Sequence, residues 1–172
     1  MTLFYDVFEA SFGWIGLLAS SKGLRRTTLP QTSPAECVES LGPEVEKATW
    51  APQHFQALKT KLTRYFRGAP VTFDAEPVDL DDASTFLRAA WGACQTIPRG
   101  ETRSYKWLAT QTGRPGAPRA AGQSMARNRL PIVIPCHRVI ASDGGLGGFG
   151  KDSTQVSLKR SLLELEATSK VL

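Results

Sequence analysis

The chain has 172 residues, 41% hydrophobic and 22% charged, with a formal net charge of +5, which is ordinary for a globular protein with one substantial core or two small ones. No apolar run approaches the roughly 20 residues of a bilayer-spanning helix, so a membrane-spanning helical protein is excluded. The charge is uneven: residues 1–80 hold 8 Lys and Arg against 9 Asp and Glu, residues 81–172 hold 13 against 7, and from Ala83 to Ile140 only Glu101 opposes nine basic residues. Such a one-sided field suits a polyanion, although a basic surface kept for solubility has the same composition.

In chain order, Leu3–Phe8 and Trp14–Ala19 are short apolar runs around Phe12-Gly13 and predict a β-hairpin or two adjacent strands. Pro30 to Pro34 reads as a Pro/Ser/Thr loop. Gln53–Phe66 places Phe55, Leu58, Leu62, Tyr65 and Phe66 at helical spacing, with Gly68 as the stop. Val71-Thr72-Phe73 predicts a further strand. His54 falls on the polar side of that helix and reads as a surface residue. This half is a small mixed α/β domain without chemistry of its own. The character changes near Pro77–Asp82, which divides the chain into domains at 1–80 and 81–172.

The second half reads as mainly helical, so the fold class is α+β. Ser84–Cys94 carries Phe86, Leu87, Ala90, Trp91 and Cys94 on one stripe, which makes Cys94 a packed core thiol. Ser104 is an N-cap for Tyr105–Thr112, which ends at Gly113. After the turn Arg114-Pro115-Gly116, Pro118 fits the first position of a second helix running to about Arg127. Helix, Gly-containing turn and arginine-bearing helix form a helix-turn-helix pattern. Leu158–Leu165 closes the chain as an amphipathic helix.

Three widely spaced cysteines, Cys37, Cys94 and Cys136, fit free thiols in a reducing compartment. Met1–Ser20 carries Asp6 and Glu9 before any Lys or Arg and so lacks a signal peptide's positive flank. A cytoplasmic, nucleoid-associated protein is expected.

The chemistry concentrates in Leu130–Ile140, where Cys136 and His137 adjoin among β-branched residues and follow Pro135. A thiol is mostly protonated at neutral pH, with a reference pKa of about 8.5, so a cysteine nucleophile needs a base or a nearby positive charge. His137 is the available base. On an extended backbone neighbours point to opposite faces, so a bridging water or a local turn must connect sulfur and ring. The second ring nitrogen then needs an orienting acceptor, for which a carboxylate is usual. The competing reading is a buried strand with an inert cysteine and a satisfied core histidine. A metal site is not expected, because no Cys or His pair stands at ligand spacing.

Ile134-Pro135-Cys136-His137-Arg138-Val139 resembles the active-site signature of the O6-alkylguanine-DNA alkyltransferases, the methylated-DNA–protein-cysteine methyltransferases. Ile97-Pro98-Arg99-Gly100-Glu101-Thr102-Arg103-Ser104-Tyr105 is similar to that family's entry into its helix-turn-helix, and Pro118–Met125 to its recognition helix. Asn128 stands at the family's distance before the cysteine, and Leu158–Glu166 resembles its closing helix. The likeness covers about residues 84–166.

The resemblance implies an RNase H-like first domain, then a winged helix-turn-helix DNA-binding domain carrying the active site. The implied activity is single-turnover repair, in which O6-alkylguanine is flipped from duplex DNA and its alkyl group moves to Cys136. In that scheme His137 takes the thiol proton through a water, Glu166 orients His137, and Asn128 braces the cysteine's turn. Tyr105 donates to guanine N3 and crowds the flanking phosphate, and Arg119 fills the space the base leaves. The Val139 carbonyl accepts from the exocyclic amine. Ser104, Ala120, Gly122, Met125, Arg138 and Ser142 complete the implied DNA and substrate contacts, and Gly148, Phe149 and Gly150 belong to a loop closing over the base.

The chain is about three residues longer than the family pattern around Asp152-Ser153-Thr154. Gly150 stands where many members have a small hydroxyl residue, so backbone amides would supply that donor. The N-terminal zinc site that some relatives carry lacks ligands here, and no cofactor is implied. The expected partner is double-stranded DNA, with O4-alkylthymine as a second candidate lesion, bound by a monomer either singly or cooperatively. The competing activities are a cysteine hydrolase, which lacks an oxyanion loop, and a non-enzymatic lesion sensor, whose known relatives carry tryptophan at the cysteine position.

Overall fold

The computed structural model describes residues 1–146 and 153–168, and the chain falls into two compact units. The first is Met1–Asp81 with Arg129–Pro131, and the second is Asp82–Asn128 with Ile132–Leu172.

In the first unit β1 (Leu3–Ala10) and β2 (Gly13–Ser20) form the expected hairpin, paired from Leu3↔Ser20 to Ala10↔Gly13. Two further strands complete a sheet of order β3-β2-β1-β4: β3 (Gly23–Thr27), antiparallel to β2, and β4 (Thr49–Trp50), parallel to β1. The interior strand β2 is buried from Ile15 to Ser20, which explains its near-continuous apolar run. Strand β3 escapes the sequence pattern because Arg25 and Arg26 break it. Arg25 is nevertheless buried, held by Asp79 at 3.1 Å and by Glu44 at 3.0 Å, while Ser20 also bonds Asp79.

Helix α1 (Pro34–Leu41) follows the Pro/Ser/Thr loop. The Ser33 side chain accepts from the Glu36 N–H, and proline opens the first turn. The helix packs on β2 at Gly16, where a Cβ would stand 3.1–3.2 Å from Thr28, Cys37 and Leu41 atoms. A side chain there would push those neighbours back by a few tenths of an ångström.

The expected Gln53–Phe66 helix divides into a 3₁₀ turn (Pro52–Phe55) and α2 (Gln56–Phe66). His54 is exposed and stacks on the Phe4 ring at 4.3 Å. The strand expected at Val71–Phe73 is absent. Val71 donates to the Ala69 carbonyl and Glu76 to that of Phe73, so the backbone turns there. Phe73 is buried edge-on to Tyr65. Burial of side chains, rather than a strand ladder, explains the apolar triplet.

In the second unit α3 (Thr85–Gln95) is capped by Ser84 through the Leu87 N–H, and Cys94 is fully buried. Helix α4 (Tyr105–Gln111) is capped by Ser104 through Trp107, and α5 (Pro118–Ala126) begins on its proline. Gly113 between them takes φ +79°, which favours glycine. The Trp91 indole N–H donates to the Ser124 carbonyl at 2.9 Å and ties α3 to α5. The last helix, α6 (Ser153–Thr168), is longer than the sequence pattern suggests. Among the described residues no helix is long and apolar enough to cross a membrane.

Candidate active site

Residues 134–138 form a turn rather than the extended strand of the competing reading. Pro135 sits at φ −80°, ψ 63°, and the Cys136 N–H donates to the Ile134 carbonyl at 2.8 Å. That is an inverse γ-turn, for which proline's fixed φ is well suited. A 3₁₀ turn over Cys136–Arg138 follows, closed by the Arg138 N–H on the Pro135 carbonyl at 2.9 Å. The chain then enters a short strand, β6 (Val139–Ile140), parallel to β5 (Arg103–Ser104). This pairing brings Ser104 and the start of α4 beside the cysteine turn.

The turn is braced from α5. Asn128, just past the end of that helix, donates its side-chain amide to the Ile134 carbonyl at 2.8 Å and hydrogen-bonds the Cys136 thiol. Before the turn Ile132 takes φ +75°. In a β-branched residue that conformation costs about 1–2 kcal/mol and persists only where the surroundings enforce it.

Cys136 is 6% exposed and His137 is fully buried. His137 Nε2 lies 3.0 Å from both Glu166 oxygens. The same carboxylate accepts from Arg138 Nε at 2.8 Å and Nη2 at 2.9 Å, and Arg138 Nη1 donates to the Ile97 carbonyl at 2.7 Å. The bonds from His137 and Arg138 hold the Glu166 carboxyl far below its ordinary range despite full burial, so it is ionised.

Burial is the dominant influence on His137 and lowers its pKa against the pull of Glu166, which leaves a neutral imidazole at neutral pH. Burial also raises the Cys136 thiol; the Asn128 bond and the Lys159 charge oppose it but do not win. The resting state is therefore a protonated thiol beside a neutral base. With Nε2 held by the carboxylate, the neutral ring carries its acceptor lone pair on Nδ1.

Lys159 was not among the expected site residues. Fully buried, it donates to the Val139 carbonyl at 2.7 Å and the Leu146 carbonyl at 2.6 Å, and approaches the Tyr105 hydroxyl at 3.4 Å. Burial lowers its pKa to about 8, against the attraction of Cys136 and Cys94. The signal for it was the spacing Lys159, Leu162, Glu166, which puts two charges and a leucine on the single buried stripe of α6.

The other expected residues divide. Arg119 is exposed in the first turn of α5, Ala120 is half-buried, and Gly122 lies 3.7 Å, measured from an ideal Cβ, from the Tyr105 ring. Tyr105 is half-buried and burial raises its pKa, so it keeps its proton. Ser142 is exposed. Met125 is 6% exposed and packs in the core. Arg138, also named for DNA, has its guanidinium bonded to the Glu166 carboxylate and the Ile97 carbonyl. Gly148, Phe149 and Gly150 lie outside the described residues, as does Asp152 of the longer segment. Among the described residues no group of three or more His, Cys, Asp or Glu could hold a metal ion.

Residues 3–80 match the family described as 6-O-methylguanine DNA methyltransferase, ribonuclease-like domain, and residues 85–168 match its DNA binding domain. A methylated-DNA–protein-cysteine methyltransferase of Methanosarcina barkeri is 34% identical over 169 residues, 95% of this chain and 97% of its own. One from Mycobacterium bovis is 43% identical over 126 residues, 72% of this chain and 73% of its own. The crystal structure of Mycobacterium tuberculosis O6-methylguanine methyltransferase superposes with a TM-score of 0.79 at 34% identity, over 98% of this chain and 94% of that one. The structure of Mycobacterium tuberculosis OGT in complex with DNA gives 0.78 at 36% identity, over 96% and 94%.

Proposed function

The chain belongs to the 6-O-methylguanine DNA methyltransferase family and repairs DNA by direct reversal, taking an alkyl group from alkylated guanine onto its own cysteine; we propose that Cys136 is that cysteine. The observation that carries this assignment is the buried pairing of His137, on the turn that presents the thiol, with Glu166 of α6.

Neutral His137 takes the thiol proton through Nδ1 and a bridging water, and Glu166 stabilises the imidazolium that forms. The sulfur attacks the alkyl carbon in line as the bond to guanine O6 breaks. The departing guanine anion takes a proton at N3 from Tyr105. Lys159 donates to the Tyr105 oxygen, which leaves the Tyr105 hydrogen for the base. The product thioether has no ready leaving group, so each molecule acts once.

An alkylated oxygen lies within the base stack, and extruding the base costs a few kcal/mol. Exposed Arg119, at the start of α5, fills the gap and offsets part of that cost. The basic excess of residues 81–172 supplies affinity for phosphates. The first unit serves as a structural domain and the second carries the chemistry. Free thiols at Cys37, Cys94 and Cys136 support a reducing, cytoplasmic location.

The test is intact and peptide mass spectrometry after incubation with a duplex bearing O6-methylguanine. One methyl group in stoichiometric yield on the Cys136 peptide, absent from Cys136→Ala, supports the assignment. Tight lesion binding without modification would replace repair by lesion sensing.

A further inference from the structure

We propose that Thr27 is a positioning residue for the Cys136 turn, an inference that rests on Cys136 being the alkyl acceptor. Arg129–Pro131 belong to the first unit, although the residues on either side belong to the second. Thr27, at the end of β3, holds this tripeptide at two points. Its backbone N–H donates to the Arg129 carbonyl at 2.9 Å, and its hydroxyl donates to the Pro131 carbonyl at 3.0 Å.

The flanking residues are the two that shape the nucleophile's turn. On one side Asn128 holds both the Ile134 carbonyl and the thiol. On the other, Ile132 takes φ +75°. The Pro131 carbonyl and the Ile132 nitrogen share one rigid peptide plane, and the φ of Ile132 is the rotation measured from that plane. Fixing the carbonyl therefore fixes the reference for the strained dihedral. The Asn128–Ile134 bond closes the loop, so the segment is held from β3 at Arg129 and Pro131 and across its own ends at Asn128 and Ile134. Three residues separate Ile132 from Cys136, and a small reorientation of the plane moves the sulfur relative to an alkyl carbon it must attack in line.

Threonine does this with a hydroxyl that valine lacks at nearly the same shape. The experiment compares wild type, Thr27→Val and Thr27→Ser in single-turnover transfer from an O6-methylguanine duplex over a range of duplex concentrations. The pH dependence of Cys136 carbamidomethylation by iodoacetamide, mapped by peptide mass spectrometry, is measured alongside.

Thr27→Val is expected to lower the maximal transfer rate constant about three- to tenfold, the effect of one hydrogen bond. The half-saturating duplex concentration stays unchanged, the carbamidomethylation curve moves to higher pH as the Asn128 bond loosens, and Thr27→Ser restores both. A maximal rate and a pH curve equal to wild type, whatever happens to the unfolding midpoint, overturn the proposal. So does a defect confined to the half-saturating concentration. Thr27→Ala carries the same comparison if the valine variant does not fold. A wild type that acquires no methyl group on Cys136 refutes the repair assignment, whereas failure of the Thr27 inference appears only in the variants of an active protein.

Discussion

Replacing Glu166 with glutamine keeps the shape of the side chain and removes the charge on which two neighbours depend. The carboxylate accepts from three donors: His137 Nε2 at 3.0 Å, Arg138 Nε at 2.8 Å and Arg138 Nη2 at 2.9 Å. Glutamine offers one acceptor oxygen and turns an NH₂ toward the remaining donors. Two buried donors lose their partner at about 1–3 kcal/mol each. This agrees with the about 3–5 kcal/mol expected when one member of a buried ion pair is removed, a large part of a typical stability of about 5–15 kcal/mol.

The Glu166 pKa lies below its ordinary value in the folded protein, so its contribution is complete above the unfolded value near 4.5 and is lost as pH falls through the folded value. The deficit of Glu166→Gln, measured by urea unfolding, should be full at pH 7 and shrink below about 4.5. With His137 poorly oriented and its imidazolium unsupported, the single-turnover rate should fall by about 10²- to 10⁴-fold. A variant that transfers methyl within about twofold of wild type at pH 7 would refute the relay, and an equal deficit at pH 7 and pH 4 would refute the buried charge.

Arg119→Ala should raise the half-saturating concentration of lesion duplex about 10- to 100-fold, the worth of a stacking side chain, and leave Cys136 carbamidomethylation unchanged; equal loss of both contradicts a stacking role. Asn128→Ala should move the carbamidomethylation profile to higher pH, because the Asn128 bond lowers the thiol pKa, and a stationary profile counts against the brace. With Lys159 titrating at about 8, wild-type transfer should decline as pH rises through that value, and Lys159→Met should lose the decline along with part of the plateau. The folded protein holds the Lys159 proton less tightly than the unfolded chain, so this residue makes stability increase between about pH 8 and 10.5, a slope that Lys159→Met removes; an unaltered slope in urea titrations rejects the assignment.

Local signals in the sequence were sufficient for the hairpin, the serine-capped helices α3 and α4, the proline-led α5 and the Cys136-His137 dipeptide. Each depends on side chains within a few positions of one another, where periodicity, capping and proline geometry act directly. The one-sided charge of residues 81–172 was legible for the same reason, being a property of composition. Only the tertiary structure decided what distant residues do to one another. Arg138 reaches the Ile97 carbonyl across 41 positions and Thr27 reaches that of Pro131 across 104, whereas the meeting of Glu166 with His137 across 29 was legible only through the family resemblance. Strand β3 was hidden because Arg25 looks polar until Asp79 and Glu44 close on it. That Met125 is buried and that Arg138 pairs with Glu166 and the Ile97 carbonyl came only from the structure, because a motif gives a residue's position and not its side chain's surroundings. Burial, and the charges packed within a few ångströms, set the protonation of Cys136, His137 and Lys159, and these depend on three-dimensional packing that no local pattern encodes.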